Sequence, residues 1–180
     1  VTGRLNAFSP GSVKVHADID PSSINKVVQV DVGIVGDATA ILDALITELK
    51  ADGFTPNAKA LSGWWEQINQ WRSRDCLKFV QSGRVIKPQN AIKRLYDLTR
   101  ERDTYITTEV GQHQMWAAQY FGFHQPNRWM TSGGLGTMGY GLPSAVGTQI
   151  AHPGATVIDI SGEASFLMNM QELSTIAQYR

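Results

Sequence analysis

The sequence predicts an α/β fold in which a parallel sheet is flanked by helices. From Pro88 onward, segments with helical periodicity alternate strictly with short apolar segments. Such alternation is typical of a parallel sheet whose crossover helices cover both faces. The predicted helices span 88–100, 112–121, 141–150 and a segment from about 166, and the predicted strands span 105–108, 129–130 and 155–160.

The first part of the chain predicts a smaller α/β arrangement. Residues 13–19 indicate a buried strand that stops at Asp20-Pro21. Asp37 has the position of a helix cap, and the apolar residues after it recur at the spacing of one helical face up to Leu49. A polar stretch around Asn57 indicates a boundary, and 64–79 is predicted to be a packing helix.

Composition excludes several classes of protein. The formal net charge is zero, so no basic stripe indicates a nucleic-acid partner. The single cysteine, Cys76, cannot form an internal disulfide, which favours a reducing cytoplasm. No apolar run reaches the length of a membrane span. The chain opens on Val1 without an initiator methionine, so we expect an internal piece of a longer chain.

The most conspicuous motif is the glycine-rich loop at 132–141. Glycines at 133, 134, 136, 139 and 141 would let the backbone approach a ligand closely. Gly134, Gly136 and Gly139 also satisfy G-x-G-x-x-G, and Asp159 follows at the distance of a ribose-binding acid. A nicotinamide site and a turn without a ligand therefore stay open as alternatives, although Asp159 sits inside its predicted strand.

Two further loops follow predicted strands. In 161–165, Glu163 is a candidate magnesium ligand and Ser165 a candidate helix cap, although the spacing alone favours a solvated loop acid at Glu163. In 109–114, His113 lies where a helix is predicted to begin and could meet a phosphate. Because ligands bind at the carboxyl ends of parallel strands, the three loops together predict a diphosphate and metal site.

Two long motifs, 108–119 and 132–143, resemble the acetolactate synthase (acetohydroxyacid synthase) family of thiamine-diphosphate enzymes, as do 16–21 and 35–37. The resemblance covers essentially the whole chain. It implies that 1–50 is the C-terminal part of an FAD-carrying central domain. It implies that 51–86 is a helical connecting segment and 87–180 the N-terminal part of a thiamine-diphosphate-binding domain, a partial copy of that fold.

The resemblance also implies roles for individual residues. Glu163 would bind Mg²⁺, although the family usually has Asp at this position. The activating glutamate would lie in a domain outside this chain, so no catalytic residue is expected here. The residues expected to contact thiamine diphosphate are Val110, Gly111, Gln112, His113, Gly136, Met138, Gly162, Ala164 and Ser165, and those expected to touch FAD are Asp18 and Ile19.

The activity implied is the decarboxylation of pyruvate and the joining of its two-carbon unit to pyruvate or 2-oxobutyrate, in branched-chain amino acid biosynthesis. The implied partners are a second copy in a homodimer or homotetramer and a small regulatory subunit. The chain alone is expected to be inactive. Another thiamine-diphosphate carboligase or a 2-oxo-acid decarboxylase is the nearest alternative, and a nicotinamide oxidoreductase or a ligand-free scaffold is more distant.

Overall fold

The computed structural model describes residues 3–179. The chain divides into two compact units, one up to Ser73 and one from Arg74 onward. The division falls within the predicted connecting segment 51–86, and the identities of the flanking domains stay predictions. Residues 1, 2 and 180 lie outside the described residues. They are the terminal positions of the predicted domains 1–50 and 87–180. Within residues 3–179, no helix is both long and apolar enough to cross a bilayer.

The first unit contains a two-stranded parallel sheet and two helices. Asp37 caps the first helix as predicted, because its side chain accepts hydrogen bonds from the amides of Thr39 and Ala40. The elements are β1 (Val15–Asp18), β2 (Val32–Val35), α1 (Ala38–Ala51) and α2 (Ala58–Arg72).

Two predictions for this unit are wrong. The strand predicted as buried is shorter, and its side chains alternate between exposed and half-buried, because two strands alone offer little surface for burial. The helix predicted at 64–79 begins earlier, at Ala58. Asn57 caps this helix and is not part of a linker. The Asn57 side chain accepts a hydrogen bond from the Ala60 amide.

The second unit confirms the predicted fold class. Its three strands are all parallel and lie in the order β4-β3-β5. The elements are α3 (Pro88–Thr99), β3 (Thr104–Thr108), α4 (Gln112–Tyr120), β4 (Trp129–Thr131), α5 (Gly141–Ala151), β5 (Thr156–Ile160), α6 (Glu163–Met168) and α7 (Glu172–Gln178).

The central strand β3 is the most buried element of the second unit. Ile106 is fully buried and packs in the core with Ile92 of α3 and Phe121, which follows α4. Aromatic and aliphatic side chains surround this cluster, including Tyr96 and Trp129. The carboxyl end of β3 is therefore held in a well-packed environment, and the residues that follow it start from a fixed position.

The strand order brings three loops to one edge of the sheet. Since β3 pairs in parallel with β4 and β5, the loops after all three strands leave from the same edge. The crossover from β3 to β4 and the one from β4 to β5 run in opposite directions. For right-handed crossovers this arrangement places α4 and α5 on opposite faces and opens a crevice at that edge.

The single helix predicted from about Phe166 is instead two short helices. α6 ends at Met168, and α7 begins at Glu172. Between them, the Asn169 side chain donates a hydrogen bond to the Gly139 carbonyl oxygen at 2.5 Å. The helix is interrupted at the residue that fastens the glycine-rich loop, a contact that helical periodicity does not reveal.

Candidate functional site

Glu109, the first residue after β3, is fully buried at the centre of the three loops. Its Oε1 accepts from the Gly162 amide at 3.1 Å and lies 3.0 Å from His113 Nε2. Its Oε2 accepts from the Gly141 amide at 3.1 Å and from Ser161 Oγ at 3.2 Å. Four polar groups thus replace the water that a buried carboxylate would lose.

These contacts connect all three loops through one side chain. Gly141 ends the glycine-rich loop, Gly162 belongs to the loop after β5, and His113 lies in the first turn of α4. Sequence reasoning counted Glu109 within the first loop but gave it no role. The signal that could have identified it is an acid directly after a predicted strand of the sheet, where a charge needs partners to be buried.

A second carboxylate, Asp159, lies beside Glu109. The Ser161 hydroxyl contacts both carboxylates, and Thr107 Oγ1 donates to Asp159 Oδ1 at 3.2 Å. One hydroxyl carries one proton, so both contacts are hydrogen bonds only if one carboxylate is protonated. Burial raises the pKa of Asp159 above its ordinary 3.8; the Ser161 hydrogen bond opposes the shift and the charge of Glu109 adds to it. The folded protein therefore keeps the Asp159 proton to a higher pH than the unfolded chain does.

We expect Asp159→Asn to flatten the dependence of stability on pH. Because the folded pKa is raised, the folded state holds its proton longer than the unfolded state does. That stabilisation is present at low pH and is lost as the pH rises from about 4 through the folded pKa. The side-chain amide of the variant can donate a hydrogen bond at every pH and carries no charge. The variant should therefore match or exceed the parent in melting temperature at neutral pH.

Thermal unfolding followed by circular dichroism between about pH 4 and pH 8 measures this effect. Asp97→Asn on the exposed face of α3 is the matched control, and its curve should follow that of the parent. A constant loss of stability in Asp159→Asn at every pH would contradict the raised pKa of Asp159.

His113 is held between two glycines. A Cβ on Gly111 would lie 2.5 Å from the ring carbon Cε1, and a Cβ on Gly162 would lie 3.0 Å from the same atom. The ring is also bonded to Glu109, and its side chain is only 18% exposed. Glycine at both positions lets the imidazole lie directly against the backbone of two loops.

The glycine-rich loop has a fixed backbone and exposed side chains. Gly136 and Gly139 have φ of +77° and +78°, a conformation that favours glycine. The Thr137 amide donates to Ser132 Oγ at 2.8 Å, which closes the turn. The Leu135 side chain is 92% exposed and that of Met138 is 41% exposed, so both are available to a ligand or another surface.

The remaining predicted residues lie at the same edge. Val110 contacts Gly136, since a Cβ on that glycine would lie 3.6 Å from Val110 Cγ2. Gln112 is the exposed first residue of α4, and Glu163 and Ala164 are the exposed first residues of α6.

The prediction that Ser165 caps the last helix is wrong. α6 begins at Glu163, so Gly162 takes the cap position and Ser165 lies inside the helix. The Ser165 side chain is buried, with 2% exposure. The sequence signal failed because a serine followed by an apolar run has the same pattern whether it precedes a helix or lies in its first turn.

The described residues do not form a complete metal site. Among the described residues, no group of three or more His, Cys, Asp or Glu side chains could hold an ion by itself. Magnesium commonly takes one or two carboxylates and completes its shell with phosphate oxygens and water. The exposed carboxylate of Glu163 fits a metal of that kind, shared with a phosphorylated ligand, and does not fit an all-protein cage.

The dinucleotide alternative is not favoured by the geometry. Asp159 is part of β5, where its carboxylate is engaged by Thr107 and Ser161. A ribose-binding acid must instead face the ligand at a strand end. The glycine spacing in this loop therefore lacks the acidic partner that a dinucleotide site needs.

Asp18 and Ile19, the predicted FAD contacts, lie in the first unit at the end of β1. The Asp18 carboxylate accepts from the Asp20 amide at 2.8 Å and lies 3.6 Å from His16 Nε2. Ile19 is 71% exposed. An open cleft of about 670 Å³ runs beside β1, and both His16 and Asp18 line it.

Comparison with known proteins identifies the class. Residues 109–180 match the family described as "Thiamine pyrophosphate enzyme, C-terminal TPP binding domain". The match begins at Glu109 and includes all three loops. The second unit thus carries a thiamine-pyrophosphate-binding domain of this enzyme class.

Similarity to acetolactate synthase large subunits extends over nearly the whole chain. The chain is 47% identical over 178 residues to the isozyme 3 large subunit of Escherichia coli (strain K12), covering 99% of this chain and 31% of that protein. It is 43% identical to the large subunit of Haemophilus influenzae, with 99% and 31% covered. It is 44% identical to that of Porphyra purpurea, with 100% and 30% covered.

Nearly the whole chain is thus similar to part of the acetolactate synthase large subunits, and residues 109–180 match a thiamine-pyrophosphate-binding domain. The chain spans about a third of the length of the curated relatives it matches.

Proposed function

We propose that the protein acts as an acetolactate synthase large subunit, decarboxylating pyruvate and joining the two-carbon unit to pyruvate or 2-oxobutyrate. The observation that carries the proposal is that the family match contains the three loops that the structure brings together. The matched residues, 109–180, contain all three loops and Glu109, the buried residue that connects them. The products would lead to branched-chain amino acids, and the cytoplasm is the proposed location.

The three loops fit thiamine diphosphate. Gly111 and Gly162 have no side chains, so the His113 ring can lie against the backbone of two loops, beside the proposed diphosphate position. Gln112 and His113, in the first turn of α4, would bind the diphosphate, with Val110, Ala164 and Ser165 lining it. When bound, the cofactor supplies a nucleophilic carbon and an electron sink for decarboxylation.

The glycine-rich loop would hold the other end of the cofactor. Its backbone is fixed at Thr137 and Gly139 by the side chains of Ser132 and Asn169. The main chain at Gly136 and Met138 can therefore offer hydrogen bonds at constant positions. The exposed Met138 side chain would pack under the cofactor and set its shape, and the loop would exclude water from the reacting atoms.

Mg²⁺ would be shared between Glu163 and the diphosphate. Because magnesium requires tight octahedral geometry, the extra methylene of Glu relative to Asp has to be accommodated at the start of α6. FAD would bind in the first unit near Asp18 and Ile19 and would serve a structural role. The assembled enzyme would be a homodimer or homotetramer with a small regulatory subunit.

Glu163→Gln is expected to raise the magnesium concentration needed for half-maximal binding of thiamine diphosphate by about tenfold or more, since a carboxylate ligand is lost. The measurement is a titration of Mg²⁺ at fixed cofactor, followed by tryptophan fluorescence. Glu101→Gln, at a site 88% exposed and away from the loops, is the control. An unchanged magnesium requirement in Glu163→Gln would exclude Glu163 as the ligand.

The activity itself is tested with protein expressed from its complete reading frame. The protein is incubated with pyruvate, thiamine diphosphate, Mg²⁺ and FAD, and acetolactate is measured as acetoin after acid treatment. Acetoin above the control without thiamine diphosphate is the expected result. Carbon dioxide and acetaldehyde without acetoin would instead indicate a 2-oxo-acid decarboxylase, and no turnover by a folded protein would contradict the proposal.

A further inference from the structure

We propose that Glu109 is a positioning residue of the cofactor site, which fixes the tautomer and orientation of His113 and fastens the loops around it. Glu109 is not a catalytic residue, because it is fully buried and acts through its neighbours. The inference rests on the proposed function, since it takes the ligand beside His113 to be a diphosphate.

The direction of the bond between Glu109 and His113 follows from the other partners of the carboxylate. A backbone amide can only donate, and Glu109 accepts one amide on each oxygen, from Gly162 on Oε1 and from Gly141 on Oε2. An ionised carboxylate has no proton to give, so with both oxygens accepting amides Glu109 acts as an acceptor on both sides. His113 Nε2, 3.0 Å from Oε1, must then carry the proton and donate it.

This assignment leaves His113 Nδ1 for the ligand. Among the described residues, Nδ1 has no hydrogen-bond partner, and it lies on the edge of the ring that rests against Gly111 and Gly162. A hydrogen bond from Nδ1 to a diphosphate oxygen would require a proton on Nδ1 as well, and the Glu109 carboxylate would then face an imidazolium.

The register of the sheet explains why one residue can serve all three loops. Thr108 pairs with Thr131 of β4 and with Ile160 of β5, so all three strands end at the same level beside Glu109. Ser161 is therefore its direct neighbour, and Gly141 reaches it from the end of the glycine-rich loop. Loss of the carboxylate would release these loops from a common anchor.

Glu109→Gln is the discriminating variant, because it keeps the shape and replaces one acceptor oxygen by a donor amide. On either side that amide faces a backbone N–H, so one contact becomes repulsive. If the side-chain NH₂ takes the place of Oε1, it donates to His113 Nε2. His113 must then accept at Nε2 and carry its proton on Nδ1. The variant therefore changes a property of His113 that a loss of packing alone would not change.

Two measurements test the proposal on protein from the complete reading frame. In protein labelled with ¹⁵N-histidine, the ring signals that His113→Asn removes report the tautomer, which should be Nε2–H in the parent without cofactor. Binding of thiamine diphosphate with Mg²⁺ is titrated by tryptophan fluorescence. Glu109→Gln should weaken it by about 10- to 100-fold, the range seen when the orienting partner of a metal-binding histidine is removed.

A double-mutant cycle separates positioning from general stability. If Glu109 acts through His113, Glu109→Gln combined with His113→Asn should bind little worse than the weaker of the two single variants. Thr99→Val, which removes a buried hydrogen bond to Leu95 in α3, is the control and should lower the melting temperature without changing cofactor affinity.

Three results would overturn the inference. These are an Nδ1–H tautomer in the parent, unchanged affinity in a folded Glu109→Gln, and additive effects in the cycle. If Glu109→Gln does not fold, the tautomer of the parent decides. A parent that shows the Nε2–H tautomer but binds no thiamine diphosphate would instead remove the proposed function and leave the role of Glu109 toward His113 intact.

Discussion

Gly141→Ala is expected to lower the free energy of unfolding by about 3 kcal/mol, combining overpacking with the loss of a buried hydrogen bond. A Cβ at this position would lie far inside van der Waals contact with Glu109 Oε2 and Asp159 Oδ1, and 2.9 Å from Ser161 Oγ. None of these atoms can move easily, because they are hydrogen-bonded to one another. Binding of thiamine diphosphate should be lost together with the stability.

The matched control lies in the same helix. Gly147 of α5 is exposed, and a Cβ there would meet no atom within 4 Å. Gly147→Ala should therefore be neutral or stabilising by up to about 1 kcal/mol, through helix propensity. Urea unfolding of both variants measures the difference. Equal effects at the two positions would contradict the close packing around Glu109.

Gly111→Ala is expected to weaken the binding of thiamine diphosphate by about 10- to 100-fold, comparable to the loss of an orienting contact. The new Cβ would lie 2.5 Å from Cε1 and 2.7 Å from Nδ1 of His113. The imidazole can escape by rotating, while the φ of +158° at Gly111 adds backbone strain, so the variant should fold with a lowered melting temperature. In rotating, however, the imidazole leaves Glu109 and takes Nδ1 away from the diphosphate position.

Gly134→Ala is the control for this variant, because it lies in the glycine-rich loop and a Cβ there would meet nothing within 4 Å. Its cofactor affinity should equal that of the parent. Fluorescence titration with thiamine diphosphate and Mg²⁺, together with a melting curve for each variant, gives both quantities. A Gly111→Ala protein that binds the cofactor normally would show that the position of the His113 ring does not matter.

The parallel sheet was predictable because its signals are local. Alternating strand and helical segments predict the elements from Pro88 to Ile160 within one or two residues, and the three loops follow from them, whereas the one helix predicted from about Phe166 is two helices. The cap at Asp37 was predictable for the same reason, since a capping side chain bonds within its own turn. The cofactor class came from the resemblance of two motifs, which the family match supports.

The role of Glu109 could not be predicted because its partners are remote in sequence. Its bonds to the amides of Gly141 and Gly162 span 32 and 53 residues. Which polar atoms meet at that distance depends on the register of β3 against β4 and β5. Periodicity predicts that strands exist but does not predict their register. The exposure of β1 could not be predicted for a related reason. An apolar pattern indicates a strand but does not show how much of the rest of the protein packs against that strand.

Calorimetric titration of thiamine diphosphate into the protein from the complete reading frame, with and without Mg²⁺, tests the central claim most directly. Saturable binding that requires Mg²⁺ and is weakened in Gly111→Ala, but not in Gly134→Ala, is the expected result. Binding of NADH in place of thiamine diphosphate, or no binding of either by the folded protein, would contradict the assignment of the three loops.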